Sequence, residues 1–332
     1  MHRRRAAPMK TRPHDPGHGR APTPRAGILR KETVAAGTAL LVLAAALAAC
    51  APRSGSPDDP SVSMTAAGRS RAGVLGPPSE DGTPSGSADP AGPEPPPYGF
   101  ASGPEVIGRS VEGRPLEMYR FGFGPVARLI VAGIHGGYEW NTIALGHELI
   151  EYVGDHPGVV PADVTLFLLP ALNPDGDARS HSYEGRANAH GVDLSRNWDS
   201  GWRADWSRAG CWNHLPITAG SRPASEPEVM VLSAFIESHD IEALISYHSA
   251  ALGIFAGGQP AERDSGRLAE AIAAVTPYPY PPLDGDCVFT GQFTDWAADH
   301  GIAAVDVELT NHTNTDFEIN LRVLKVFLEW SR

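Results

Sequence analysis

The sequence predicts an α/β fold: a single domain with a central mixed, largely parallel sheet flanked by helices on both faces and preceded by a disordered tether. Three observations carry this. Short apolar runs rich in β-forming residues alternate with helical segments from about residue 116 to residue 330. No stretch inside 101–332 has the composition of a linker, so that span reads as one domain. Residues 51–100 hold 11 Pro, 8 Gly and 8 Ser, with no aromatic residue before Tyr98, too little apolar surface to offset the entropy of ordering.

The elements follow in chain order. Leu116–Phe121 and Leu129–Ile134 read as strands, and Asn141–Val153 as a helix. Val164–Leu169 (VTLFLL) is a continuous apolar run of strand length, as expected of a strand buried on both faces. Ser225-Glu226-Pro227-Glu228 has the capping-box pattern with Pro in the first turn, opening a helix to about Ser238. Ile241–Tyr247 is the next strand and Arg263–Ala274 the next helix. Gln292–His300 is helical and stops at Gly301, where glycine accepts the left-handed conformation of a helix end. Ile302–Glu308 reads as a strand, and Thr315-x-x-Glu318 as the cap of a last helix reaching Trp330.

The charge is unevenly spread over the 332 residues. Residues 1–50 hold nine Lys/Arg against two Asp/Glu, residues 51–100 three against six, and the remainder 15 against 31. An acidic body lacks the basic face that displaces counterions, so no nucleic-acid partner is expected. Val34–Ala49 is a 16-residue stretch without charge, preceded by Arg30 and Lys31 and followed by Cys50. This is the layout of an export signal, and it is shorter than a membrane-spanning helix requires. Leu47-Ala48-Ala49-Cys50 resembles the lipobox of bacterial lipoproteins. The expected organisation is therefore a signal peptide with lipobox over 1–50, a linker over 51–100 and one folded domain over 101–332. The product would be exported, lipid-anchored on the extracytoplasmic side or secreted, touching the membrane only through the N-terminal anchor. A monomer is expected.

Three polar clusters stand where strands end and loops begin, the usual place for sites in such sheets. They are Gly133-Ile134-His135-Gly136-Gly137-Tyr138-Glu139, Ser246-Tyr247-His248-Ser249, and Val307-Glu308-Leu309. Two His and one Glu brought together make a His₂Glu zinc site with a fourth position left for water. A further carboxylate, Glu308, is placed to take a proton from that water and pass it to a leaving amine. Taken singly, each residue reads as readily as a structural histidine, a salt-bridged carboxylate or a glycine turn.

Two more segments join the pattern: Leu172-Asn173-Pro174-Asp175-Gly176, and Gly185–Trp198, which contains Gly191-Val192-Asp193-Leu194-Ser195-Arg196-Asn197-Trp198. With these in order, the chain from about Glu105 to the last helix resembles the zinc metallocarboxypeptidase family, of carboxypeptidase A/T type. The resemblance implies one Zn²⁺ per chain on His135, Glu139 and His248. It implies Glu308 as general base then acid, Arg186 as the oxyanion arginine, and Arg196, Ser195 and Asn197 at the substrate's terminal carboxylate. It implies a peptide or muropeptide substrate and a mixed sheet flanked by helices.

The chain departs from the family pattern at three points. Gly136, Gly137 and Tyr138 put three residues between His and Glu instead of two, which a loop bulge would absorb. Ser195 stands where the family has Asn, removing an amide donor. Arg179 lies near enough to compete with Arg186 for the oxyanion role. Tyr278 and Tyr280 are candidates for a substrate-loop tyrosine or simply packing residues. Asp306 shares a strand face with Glu308, as an orienting or a structural residue. Asn311 and His312 are candidate substrate contacts, and Trp198, Trp202, Trp206 and Trp212 line a groove or fill a core. Cys211 and Cys287 are the cysteines left to pair outside the cytoplasm, though sequence cannot show that they meet. Two other functions share these features: a zinc-dependent N-acyl amino acid deacylase, and a metal-free surface binding module.

Overall fold

The computed structural model describes residues 104–206, 211–250, 253–283 and 287–332. The expected lipobox signal and the expected linker lie outside the described residues.

The sheet has seven strands in the order β1-β2-β4-β3-β5-β7-β6. These are β1 (Glu105–Arg109), β2 (Pro115–Phe121), β3 (Val126–Val131), β4 (Val164–Leu169), β5 (Ile241–Ser249), β6 (Gly253–Ala256) and β7 (Ala303–Leu309). The central pairs β4–β3, β3–β5 and β5–β7 are parallel. The flanking pairs β1–β2, β2–β4 and β6–β7 are antiparallel. The helices are α1 (Trp140–Asp155), α2 (Pro174–Arg179), α3 (Pro227–Ser238), α4 (Arg263–Ala273), α5 (Phe293–Asp299) and α6 (Phe317–Glu329).

Alternate residues of each central strand enter two separate cores, as the two-residue side-chain period requires. Ile130, Leu168, Ile245 and Val305 pack with Leu149 of α1, Leu268 of α4 and Phe327 of α6. Leu129, Phe167, Leu244 and Ala304 pack with Leu232 and Phe235 of α3 and Trp296 of α5. A sheet covered on both faces explains why VTLFLL is apolar throughout: all six residues are buried.

The third strand begins and ends three residues earlier than its apolar run suggests, at Val126–Val131. Arg128 hides its start: the side chain is 2% exposed, and its guanidinium donates to the Trp330 carbonyl at 2.7 Å. Neither expected capping box forms. α3 starts after Glu226, whose backbone N–H donates to Asn197 Oδ1, while Glu228 accepts from Val111 N–H. α6 starts after Asp316, which accepts from the Thr310 N–H and hydroxyl. β1, β6 and α2 were not legible: the strands have five and four residues, and the helix has six, one of them Gly176.

Candidate active site

β3, β5 and β7 are parallel neighbours, so their C-terminal ends open on one edge of the sheet. β5 and β7 pair His248 directly with Glu308. His135 follows β3 after a turn at Gly133, where φ is +64° and an added Cβ would lie 2.6 Å from the Ile143 side chain. The longer His–Glu spacing is absorbed as a single 3₁₀ turn over Gly136–Glu139. Gly136 permits it: φ is +47°, and a Cβ would sit 2.7 Å from the Gly185 carbonyl oxygen.

One atom from each of His135, Glu139 and His248 lies within 4.8 Å of the others, and all three residues are buried. His135 Nδ1 is 2.7 Å from Glu139 Oε1 and 3.3 Å from His248 Nδ1. His248 Nδ1 is 3.4 Å from Glu139 Oε2. Tetrahedral zinc with bonds of roughly 2.0–2.1 Å holds its donor atoms about 3.3 Å apart. Both rings turn Nδ1 inward and Nε2 outward. His135 Nε2 meets Ser195 Oγ at 2.8 Å and Asp193 Oδ1 at 3.2 Å. His248 Nε2 meets Ser246 Oγ at 3.0 Å and Asp306 Oδ1 at 3.4 Å. An acceptor at Nε2 holds the proton there and leaves the Nδ1 lone pair for a metal. The donor set thus fits one zinc ion.

Two buried carboxylates at the cluster, Glu139 and Asp193, are held ionised. Burial alone would raise Glu139, but His135 and His248 outweigh it and leave its carboxyl well below the usual range. Burial likewise opposes Asp193, and Arg186 and His135 prevail.

The donor set lies in a cleft of about 300 Å³ whose lining includes Arg186, Ser195, Arg196, Asp306, Glu308 and His312. Arg186 is clamped by Asp193, with both Nε and Nη2 at 3.0 Å from Oδ2, and lies 4.6 Å over the Trp212 ring. Arg179 is turned instead to the carbonyls of Glu184 and Ala187. Arg196 is 5% exposed between Trp206 and Phe289, its Nη1 on the Ser195 carbonyl and its Nε without a partner. Asn197 does not reach the cleft. It is fully buried, its Nδ2 bound to Ala219 O, Arg222 O and Ser225 Oγ, so it ties loops together.

The other candidates separate cleanly. Tyr278 is buried with its hydroxyl on Asp316, and neither it nor Tyr280 lines the cleft. Trp198 packs in the core on Phe293, whereas Trp212 lines the cleft. His312 lines it too, bonded to Ser249 Oγ, and burial lowers its pKa. Cys211 and Cys287 form a disulfide across 76 residues, and both line the cleft. Sequence reasoning missed Tyr138, Phe255, Phe289 and Gln292, which also line it. Tyr138 lies inside the His–Glu motif with no role read for it, whereas Phe255, Phe289 and Gln292 stand outside the motifs, and only the fold brings their segments together.

The zinc carboxypeptidase family model (Peptidase_M14) matches residues 102–324. The chain belongs to the zinc carboxypeptidase family. Carboxypeptidase A1 of Sus scrofa is 34% identical over 164 residues, covering 43% of this chain and 38% of that protein. The chain thus spans less than half the length of the carboxypeptidase A relatives it matches. Murein peptide amidase A of Escherichia coli (strain K12) is 29% identical over 222 residues, covering 63% of this chain and 82% of that protein. Among solved structures, murein-tripeptide amidase from Escherichia coli O157 aligns with TM-score 0.51 at 24% identity, over 70% of this chain and 94% of that one. Bovine thrombin-activatable fibrinolysis inhibitor, solved with tick carboxypeptidase inhibitor, aligns with TM-score 0.58 at 21% identity, over 70% and 90%. At these identities the structural likenesses show the shared fold.

Proposed function

We propose that this protein is a zinc-dependent metallopeptidase that hydrolyses a peptide or amide bond next to a free carboxylate. The observation that carries the reading is the shared cleft: a three-donor metal cluster, the carboxylates of Asp306 and Glu308 and two buried arginines all line it. Zinc held by His135, Glu139 and His248 supplies Lewis acidity and makes water a nucleophile near neutral pH.

The chain's own residues do the rest. Glu308 takes a proton from the attacking water and returns it to the departing amine, so that water's OH ends on the carbonyl carbon and its H on the nitrogen. Arg186, fixed by Asp193 and Trp212, stands at the cleft as a cation that needs no reorganisation when the carbonyl oxygen gains charge. Arg196 lines the cleft with hydrogen-bonding capacity to spare, its Nε–H being unpartnered, and its guanidinium takes the substrate's terminal carboxylate. Ser195 serves through His135, whose Nε2 it meets, while its own N–H is held by Asp193 Oδ1.

Carboxypeptidase and murein peptide amidase relatives together support ordinary peptides or muropeptides as substrates. The apolar run and lipobox at 34–50 support an exported, lipid-anchored protein, with 51–100 as a tether. The test is Glu308→Gln. Zinc content should stay near one per chain while turnover of peptide substrates falls about 10³-fold or more. A variant that keeps wild-type turnover refutes the assignment.

A further inference from the structure

His312 lines the cleft without a part in the chemistry, and the hydrogen bonds behind it fix what it offers there. Asn141 is fully buried, and its Nδ2 donates to the Asn311 carbonyl at 2.7 Å and the Asn314 carbonyl at 2.9 Å. A carbonyl only accepts, so that end of the amide is the nitrogen and the other end, Oδ1, is an acceptor. Ser249 Oγ stands 2.9 Å from Oδ1 and gives it the hydroxyl proton. The Ser249 lone pairs then face His312 Nδ1 at 3.1 Å, so Nδ1 carries the ring proton. Burial, with the Arg186 charge nearby, holds the imidazole below its ordinary pKa against the pull of Glu139, so Nε2 keeps its lone pair. Tyr138 Oη faces Nε2 at 3.4 Å, a long hydrogen bond for a hydroxyl, which a shorter donor from a ligand can replace.

This acceptor has a fixed place relative to the metal cluster. Ser249 also donates its N–H to Glu139 Oε2 at 3.1 Å, so one residue holds both the cluster and His312. The His312 ring lies 4.8 Å from the Tyr138 ring, which the Arg186 guanidinium approaches to 5.7 Å. Arg196 instead stands between Trp206 and Phe289. With Arg186 at the scissile carbonyl oxygen and Arg196 at the leaving residue's carboxylate, His312 borders the acyl side of the bond. In a peptide that side carries a backbone N–H, separated from the scissile carbonyl carbon by the α-carbon alone.

We propose, resting on the hydrolase reading, that His312 determines specificity by accepting at Nε2 the backbone N–H of the residue that supplies the scissile carbonyl. The substrate is then a peptide on its acyl side. An amino acid bearing a plain acyl group has no such N–H and leaves the acceptor unpaired, which disfavours it. A residue that only shaped the loop would affect both classes alike.

The experiment uses benzoyl-glycyl-phenylalanine and benzoyl-glycyl-lysine, each beside an analogue with an ester oxygen in place of the glycyl N–H. The scissile amide is the same within each pair, and release of the terminal amino acid is measured. The enzymes are zinc-loaded wild type, His312→Asn, whose amide still donates to Ser249 but ends short of the Nε2 position, and His312→Phe, which keeps a ring. Zinc content and melting temperature verify the metal site and the fold of each. Wild type should favour the N–H member about 30-fold in kcat/KM, and the ratio should fall toward one in both variants. A wild-type ratio near one, or a ratio that a folded variant leaves unchanged, overturns the proposal. Calorimetry of the same pairs on zinc-loaded Glu308→Gln separates this claim from the hydrolase reading. Binding of the N–H member about tenfold tighter, with the difference lost on adding His312→Asn, supports it even without turnover. Equal binding of the two members overturns it even in an active hydrolase.

Discussion

Two buried polar clusters flank the segment from Asn173 to Arg196, built from the same residue types to opposite ends. In the first, every carboxylate oxygen faces a donor. Asp175 accepts from Ser110 Oγ and Arg114 Nη1 on one oxygen and from Glu112 N–H on the other. Glu228 accepts from Val111 N–H and Asn188 Nδ2. Glu226 accepts from Ser225 Oγ on one oxygen and meets Asn188 Nδ2 and His190 Nδ1 on the other. This cluster is closed, and it fastens the loop before β2 to α2 and α3. In the second, two Nδ1 atoms stand 3.3 Å apart beside both oxygens of Glu139; Ser249 N–H and Arg186 Nη1 reach those oxygens, but the two imidazole nitrogens still converge with them on one point, as a metal ion requires. What marks the site is convergence of lone pairs on one point, not residue type.

The contrast predicts separable losses. The largest belongs to Glu139→Ala, which removes one of three donors. Metal analysis should show zinc falling from about one per chain to a small fraction, and peptide hydrolysis should fall about 10³-fold or more. Next is the paired change Cys211→Ser with Cys287→Ser. Opening a loop of 76 residues should lower stability by about 2–5 kcal/mol, read from denaturant midpoints, while zinc content holds. Arg196→Ala should reduce kcat/KM about 100-fold for substrates with a free terminal carboxylate, and much less for the same substrates amidated there.

The smallest effect tests the closed cluster. Asp175→Asn should cost about 1–3 kcal/mol at pH 7, with turnover unchanged. Burial pushes the Asp175 carboxyl up, but Ser110, the Glu112 N–H and Arg114 pull it down and prevail. A carboxyl depressed in the folded state stabilises above its unfolded value, roughly pH 4, and loses that contribution as pH falls through the lower folded value. The stability gap between wild type and variant should therefore close below about pH 4. A gap that widens there contradicts the assignment of those contacts.

The open cluster was largely legible in the sequence and the closed one hardly at all. His248 and Glu308 stand at the ends of apolar strands, and His135 and Glu139 in the turn that follows another, where reactive side chains show against their surroundings. Val164–Leu169 was read to the residue because burial on both faces leaves an unbroken apolar run. Arg128 broke such a run and displaced the reading of β3 by three residues. Ser225 and Thr315 imitate helix caps by spacing alone, while partners outside those helices, Asn197 and Thr310, hold the residues from which they begin. Asn197 shows the reverse error. It belongs to a motif associated with substrate binding, yet its amide is wholly engaged by Ala219, Arg222 and Ser225. Phe255 and Phe289 were invisible because they stand 34 residues apart and belong to no motif, and only the fold brings them to one cleft.

The central claim is that two imidazoles and a carboxylate, separated by up to 113 residues, hold one metal ion. Zinc stoichiometry of the purified wild-type chain after reconstitution and removal of loose metal tests it most directly. About one zinc per chain is predicted; less than about a tenth, in a chain that melts cooperatively, would contradict it.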